Sequence, residues 1–280
     1  MNHQIGMVYL VGAGPGHPDL LTVKAVNLLR KADVIVYDRL IQEDVLDLGN
    51  PAAERIYMGK CVGGHASRQD EIDALLVEKA REGKIVVRLK GGDPFLFGRG
   101  AEEAEYLIDR GIPFDVIPGV SSALSAPLSA GIPVTHRDLA SGIAIVTGHF
   151  STDEHEQALD FSALSRMPTL VVLMGVHTVA TIASRLIQAG REPSTPAAMI
   201  QTAFWPGQKA VVATLGTIAE EATRQGVVAP ATLVIGEVVR LHEKLRVAAR
   251  ELQNPTGEFS CSAPTISAVD AAFAGMTFTN

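Results

Sequence analysis

Chemistry in this chain concentrates in a few short stretches where glycines, carboxylates and cations follow apolar runs. The first runs Val8-Tyr9-Leu10-Val11-Gly12-Ala13-Gly14-Pro15-Gly16-His17. Closely spaced glycines behind an apolar run permit a tight turn and close backbone approach to a ligand. A dinucleotide site needs the spacing G-x-G-x-x-G, and here the third glycine comes one residue early. Pro15 also removes a backbone N–H where a pyrophosphate would gather such donors. Asp38 pulls the other way: it closes an apolar run about 20 residues on, where the acidic ribose ligand of a dinucleotide fold sits. Three readings stay open from these residues: a dinucleotide site, a purely steric turn, and a different small-molecule site at the carboxyl ends of strands.

The second dense stretch is Arg88 to Glu103, in which Gly91, Gly92 and Asp93 follow an apolar run and precede Phe95, Phe97 and Arg99. Paired glycines after a strand let a ligand approach the backbone. Asp93 can accept hydrogen bonds from a hydroxyl or amine, or simply cap a turn. Asp38 is a candidate general base, with a turn or helix-capping role as the alternative. Lys60 lies in a glycine-flanked loop, as a proton donor, a carboxylate partner or a solvated lysine. His136 and Arg137 suit a polyanion or a structural ion pair. Met174 stands beside Gly175 at a strand end, as a ligand contact or as core filler.

The elements that must position these residues alternate. Val8–Val11, Val34–Tyr37, Ile85–Leu89 and Phe114–Ile117 are short, apolar and rich in branched residues, as strands buried on both faces are. Helices are predicted over Thr22–Lys31, Ser67–Arg81 and Ala101–Asp109, the second opening on a Ser67/Asp70 pair that resembles a capping box. This pattern implies βαβ units and a mostly parallel sheet. A second series of strands is expected at Ile143–Val146, Thr169–Met174, Ala197–Gln201, Gln208–Thr214 and Thr232–Arg240, with one hairpin and hence a mixed sheet. The fold class is therefore α/β in two domains, 1–135 and 139–247, joined by a polar turn and followed by a flexible tail, 248–280.

Composition narrows the functional classes. The chain has 280 residues, 47% of them apolar, and a net charge of −7. It lacks a basic patch with interleaved aromatics, so nucleic acid is not an expected partner. Two cysteines without a CxxC pair indicate neither a disulfide framework nor a zinc site, and no metal is expected. No apolar run approaches the roughly 20 residues of a membrane span, and a cytoplasmic location is expected.

Taken in order, "VGAGPG", "DLLT", "VYDRL", "RLKGGDPFLFGRG", "GIPVTHRD", "VTGH" and "LMG" resemble the tetrapyrrole methylase family over about Val8 to Leu245. The resemblance implies two α/β domains with the active site in the cleft between them. It implies S-adenosyl-L-methionine as methyl donor, S-adenosyl-L-homocysteine as product, and a homodimer. The "VYDRL", "RLKGGDPFLFGRG" and "GIPVTHRD" stretches are those of members acting on uroporphyrinogen III, methylated at C2 and C7 through precorrin-1. Carried over residue by residue, donor contacts fall on Pro15, Gly91, Gly92, Asp93, Leu96, Ser121, Ser122, Met174 and Ala203. Asp38 falls at the family's proton acceptor and Lys60 at its proton donor. For a substrate with many carboxylates on a net acidic chain, a local basic rim is expected from Arg39, Lys60, Arg88, Lys90, Arg99, His136 and Arg137. Three departures stand out: His17 where the family has aspartate, Cys61 where it has arginine, and Ala203 where it has glycine.

Overall fold

The computed structural model describes residues 5–59, 69–149 and 159–245. Lys60, Cys61, Ser67 and the expected tail lie outside the described residues.

The first sheet contains β1 (Met7–Gly12), β2 (Val34–Tyr37), β3 (Glu54–Tyr57), β4 (Ile85–Lys90) and β5 (Phe114–Ile117), in the order β3-β2-β4-β1-β5. Every pairing in it is parallel. Alternate residues of its strands feed two cores. Val8, Leu10, Val36 and Val86 pack with α3 (Gln69–Arg81) and α4 (Gly100–Ile108) on one face. Val11, Ile35, Val87 and Leu89 pack with α1 (Val23–Lys31) and α2 (Glu43–Leu46) on the other. Burial on both faces explains the continuous apolar runs. Thr22 caps α1, its hydroxyl accepting from Ala25 N at 3.2 Å. Strand β3 went unread in the sequence because Glu-Arg-Ile-Tyr is a largely exposed edge strand with no apolar run.

The second sheet contains β6 (Ile143–Thr147), β7 (Thr169–Leu173), β8 (Pro196–Gln201), β9 (Lys209–Thr214) and β10 (Ala231–Ile235), in the order β6-β7-β10-β8-β9. Only β6 and β7 are parallel; β8 and β9 form the expected hairpin. One face packs against α7 (Val179–Gln188) and α8 (Ile218–Arg224); a short α6 (Phe161–Ser165) lies at its margin. The other face is covered by α5 (Ser122–Ser129), whose Ala123 and Ala126 sit on Val171, Ala198 and Val234. The small residues of α5 let it lie close to a strand surface.

The last strand is shorter than expected. It ends at Ile235, and Glu237–Arg240 turn into a 3-10 helix. Gly236 makes the bend at φ +149°, where an added Cβ would lie 2.4 Å from Pro168 O. Val238 and Val239, which read as strand, are buried beneath that bend.

Candidate active site

The carboxyl ends of β4, β1 and β5 are adjacent, and the three loops leaving them form one wall of a cleft. The loop after β1 and the loop after β4 bind each other: Gly14 N donates to Gly92 O at 3.2 Å and Gly92 N to Gly14 O at 2.7 Å. This exchange uses the N–H groups that a pyrophosphate cradle would leave open. The first long helix, α1, begins only at Val23, well beyond the turn. The strand-turn-helix geometry of a dinucleotide site is therefore absent. At the β5 loop, Gly119 N donates to Asp93 Oδ2 at 3.1 Å, and Phe95 N donates to Asp93 Oδ1 at 2.9 Å. Asp93 thus caps its own turn and pins the third loop to the second.

His17 caps the short 3-10 turn Pro18–Leu20, its Nδ1 accepting from Asp19 N at 3.2 Å. An imidazole acceptor supplies here the capping bond that an aspartate would make.

The opposite wall belongs to the second sheet: Leu173 at the end of β7 with Met174 after it, Thr202, Ala203 and Trp205 after β8, and the start of β10. Together the walls enclose about 360 Å³. Trp205 joins them, donating from Nε1 to Pro15 O at 2.9 Å. Strain gathers in the same place. Phe97, Arg99, Met174 and Thr202 have φ between +46° and +58°, and all four line the cleft. Non-glycine residues in that region cost about 1–3 kcal/mol each and cluster at functional sites.

The cleft gathers Pro15, Gly91, Gly92, Asp93, Leu96, Ser121, Ser122, Met174 and Ala203, together with Asp38 and Arg99. Arg39, His136 and Arg137 do not line it. Arg39 and Arg137 are exposed, and His136 closes a turn with Ala140, their backbones exchanging hydrogen bonds of 3.0 and 2.9 Å. Asp38 stands at the end of β2, where Oδ1 accepts from Leu40 N at 3.0 Å and Oδ2 lies 3.5 Å from Arg88 Nη2.

The expected basic rim is in part a buried floor. Arg88 and Lys90 line the cleft but are each only 4% exposed, and Lys90 Nζ donates to Glu103 Oε1 at 2.6 Å. Burial, with the Arg88 charge beside it, pushes the Lys90 ammonium below its usual range, against the opposing pull of Glu103. Sequence reasoning passed over Glu103, Gln69, Thr202 and Trp205. The signal for Glu103 was present in "RGAEEAE", but an acid in a first helical turn ordinarily faces solvent.

Burial also lifts the Asp73 carboxyl above its usual range, against a 2.8 Å hydrogen bond from Gln69 Nε2. Folding therefore favours its protonated form. The stability this gives is present at low pH and is lost as pH rises through the native-state value. Asp73→Asn keeps an acceptor for Gln69 and removes the charge. It is expected to raise the melting temperature at pH 8 by roughly 2–4 °C, with a smaller gain near pH 4, as read by calorimetry.

Trp205 is the sole tryptophan of the chain, so its fluorescence reports on the cleft alone. Gly16→Ala would put a Cβ 2.0 Å from Trp205 Nε1, at a φ of +125°. The variant is expected to break the bond to Pro15 and shift the emission toward that of a solvated indole.

Two α/β sheets enclosing a cleft floored by glycine loops at parallel strand ends define a two-lobed α/β enzyme with a small-molecule site. The chain belongs to the Tetrapyrrole (Corrin/Porphyrin) Methylases, matched over residues 7–219. It is similar to the uroporphyrinogen-III C-methyltransferase of Bacillus subtilis, with 47% identity over 249 residues, 89% of this chain and 97% of that one. It is 48% identical over 246 residues to the S-adenosyl-L-methionine-dependent uroporphyrinogen III methyltransferase of Methanosarcina barkeri, 88% of this chain and 96% of that one. The crystal structure of uroporphyrin-III C-methyl transferase from Thermus thermophilus complexed with S-adenyl homocysteine matches with a TM-score of 0.73 and 46% identity, over 84% of this chain and 100% of that one.

Proposed function

We propose that this chain is an S-adenosyl-L-methionine-dependent C-methyltransferase that methylates uroporphyrinogen III at C2 and C7. The product is precorrin-2, formed by way of precorrin-1, a precursor for siroheme and cobalamin. The observation that carries the reading is the near end-to-end similarity to methyltransferases of that substrate, combined with a cleft lined by the residues on which the resemblance places donor contacts.

The cleft fits such a donor. Its volume of about 360 Å³ lies in the range of small-molecule sites. Leu96, Ala126 and Ile200 offer apolar walls, and Asp93, Ser121, Ser122 and Thr202 offer polar groups. A nucleoside joined to an amino acid needs both. The loops after β1, β4 and β5 pack backbone to backbone: a Cβ on Gly12 would lie 2.5 Å from Gly119 N and 2.7 Å from Gly92 O.

When bound, the donor supplies an electrophilic sulfonium methyl group. The chain's work is to bring a pyrrole carbon in line with it and exclude water, which Leu96, Met174 and the glycine loops do by shape. Bond formation leaves a cationic macrocycle that must lose a proton. Asp38 accepts that proton, and Lys60 serves the opposite proton transfer. Arg99, Arg39 and Arg137, with His136, bind the substrate's carboxylates.

The protein works as a homodimer, supported by the apolar side chains that α5 and its approach expose, Val120, Leu124 and Leu128. Among the described residues, no helix is long and apolar enough to cross a membrane. The function is tested by incubating purified protein with uroporphyrinogen III and methyl-labelled donor under reducing conditions. Label is expected in the tetrapyrrole fraction; its absence there would end this reading.

A further inference from the structure

Beneath Asp38 lies a set of charges that methyl transfer itself does not require. Glu103 of α4 has no exposed surface, and its Oε1 receives Lys90 Nζ at 2.6 Å, Gln69 Nε2 at 3.1 Å and Arg88 Nε at 3.3 Å. Taking two cations and a carboxylate out of water is costly, and apolar residues of similar volume would join β4 to α4 without that cost. Among the described residues, Glu103 Oε2 has no hydrogen-bond partner at all, so the cluster is not arranged for greatest stability.

What the arrangement does achieve is direction. Arg88 and Lys90 are two apart on β4 and share one face of the sheet. Glu103 holds Arg88 by Nε, while Nη1 lies 3.5 Å from Val36 O and 3.4 Å from Leu89 O. The remaining guanidinium nitrogen, Nη2, then faces Asp38 Oδ2 at 3.5 Å. The other charged groups around the cluster are Asp73 of α3, behind Gln69, and Arg99 at the start of α4. Among the described residues, neither forms an ion pair with Asp38.

We propose that Glu103 is a positioning residue for methyl transfer: its buried carboxylate fixes Arg88, and Arg88 in turn holds the Asp38 carboxylate at the cleft wall. This rests on Asp38 being the proton acceptor. A side chain displaced by about an ångström from its working geometry can lose on the order of 10²-fold in rate. Glu103 is fully buried and does not line the cleft, so it acts through the groups it holds, and Arg88 is the one that faces Asp38.

The test is a kinetic double-mutant cycle of Glu103→Gln with Asp38→Asn in the full chain, reading kcat, the KM for uroporphyrinogen III, S-adenosylhomocysteine affinity and melting temperature. Glu103→Gln is expected to lower kcat on the order of 10²-fold with unchanged S-adenosylhomocysteine affinity. In the Asp38→Asn background it is expected to cost nothing further. Losses that multiply would mean that Glu103 acts independently of Asp38 and would overturn the proposal, with Asp38 untouched as the base. Full turnover by Asp38→Asn alone would remove the base and this proposal together. Should Glu103→Gln not fold, Glu103→Asp keeps the charge on a shorter stem and must show the same non-additivity.

Discussion

Asp38→Asn is expected to lower kcat by about 10²–10⁴-fold while leaving the affinity for S-adenosylhomocysteine unchanged. The amide keeps the size of the carboxylate and its bond from Leu40 N, which holds the turn after β2. It loses the ability to take a proton, and it loses the charge facing Arg88. Asp38 lines the same cleft as Pro15, Gly92 and Met174, yet stands at the end of a different strand from the glycine loops. Donor binding should therefore survive while the chemical step fails. Single-turnover measurement with labelled donor separates the two, and an Asn variant with full turnover would take Asp38 out of the mechanism.

Gly12→Ala is expected to cost roughly 3 kcal/mol of stability and to weaken donor binding by at least about tenfold. The added Cβ would lie 2.5 Å from Gly119 N, 2.6 Å from Gly119 Cα and 2.7 Å from Gly92 O. All three are backbone atoms, so no flexible side chain can move aside. To make room, the loops after β1, β4 and β5 must separate, and the reciprocal Gly14–Gly92 hydrogen bonds go with them. Chemical denaturation gives the stability loss, and titration with S-adenosylhomocysteine gives the binding loss. An alanine variant with native stability and affinity would mean that the loops are not packed as described.

These two residues also show what the sequence makes readable. The glycine run was visible as a turn, and its early third glycine with Pro15 already argued against a dinucleotide fingerprint. The structure supplies the reason in another currency of contact: the glycines are there so that two loops can touch backbone to backbone. The central strands were legible because burial on both faces leaves a continuous apolar run, whereas β3, exposed at an edge, leaves none. The second sheet was legible up to Gly236, whose positive φ, with no room for a Cβ beside Pro168, turns the chain away from a strand that the valines after it favoured.

The polar part of the site was least legible. Arg88 and Lys90 read as a solvent-facing rim because cations normally are, and only the packing of α4 on β4 buries them. Glu103 differs from its neighbour Glu102 by 100° of helix rotation, which places one inside and the other out. Trp205 reaches Pro15 across 190 residues of chain, and no local pattern encodes such a contact. His17 is the opposite case: a departure from the family that looked arbitrary becomes a capping bond two residues long.

The site of methylation is read from the product of a reaction with ¹³C-methyl donor and uroporphyrinogen III. Carbon NMR of that tetrapyrrole is expected to show two enriched methyl groups, on C2 and C7. Enrichment at any other ring carbon, or a tetrapyrrole with none, would contradict methylation at C2 and C7 of this substrate.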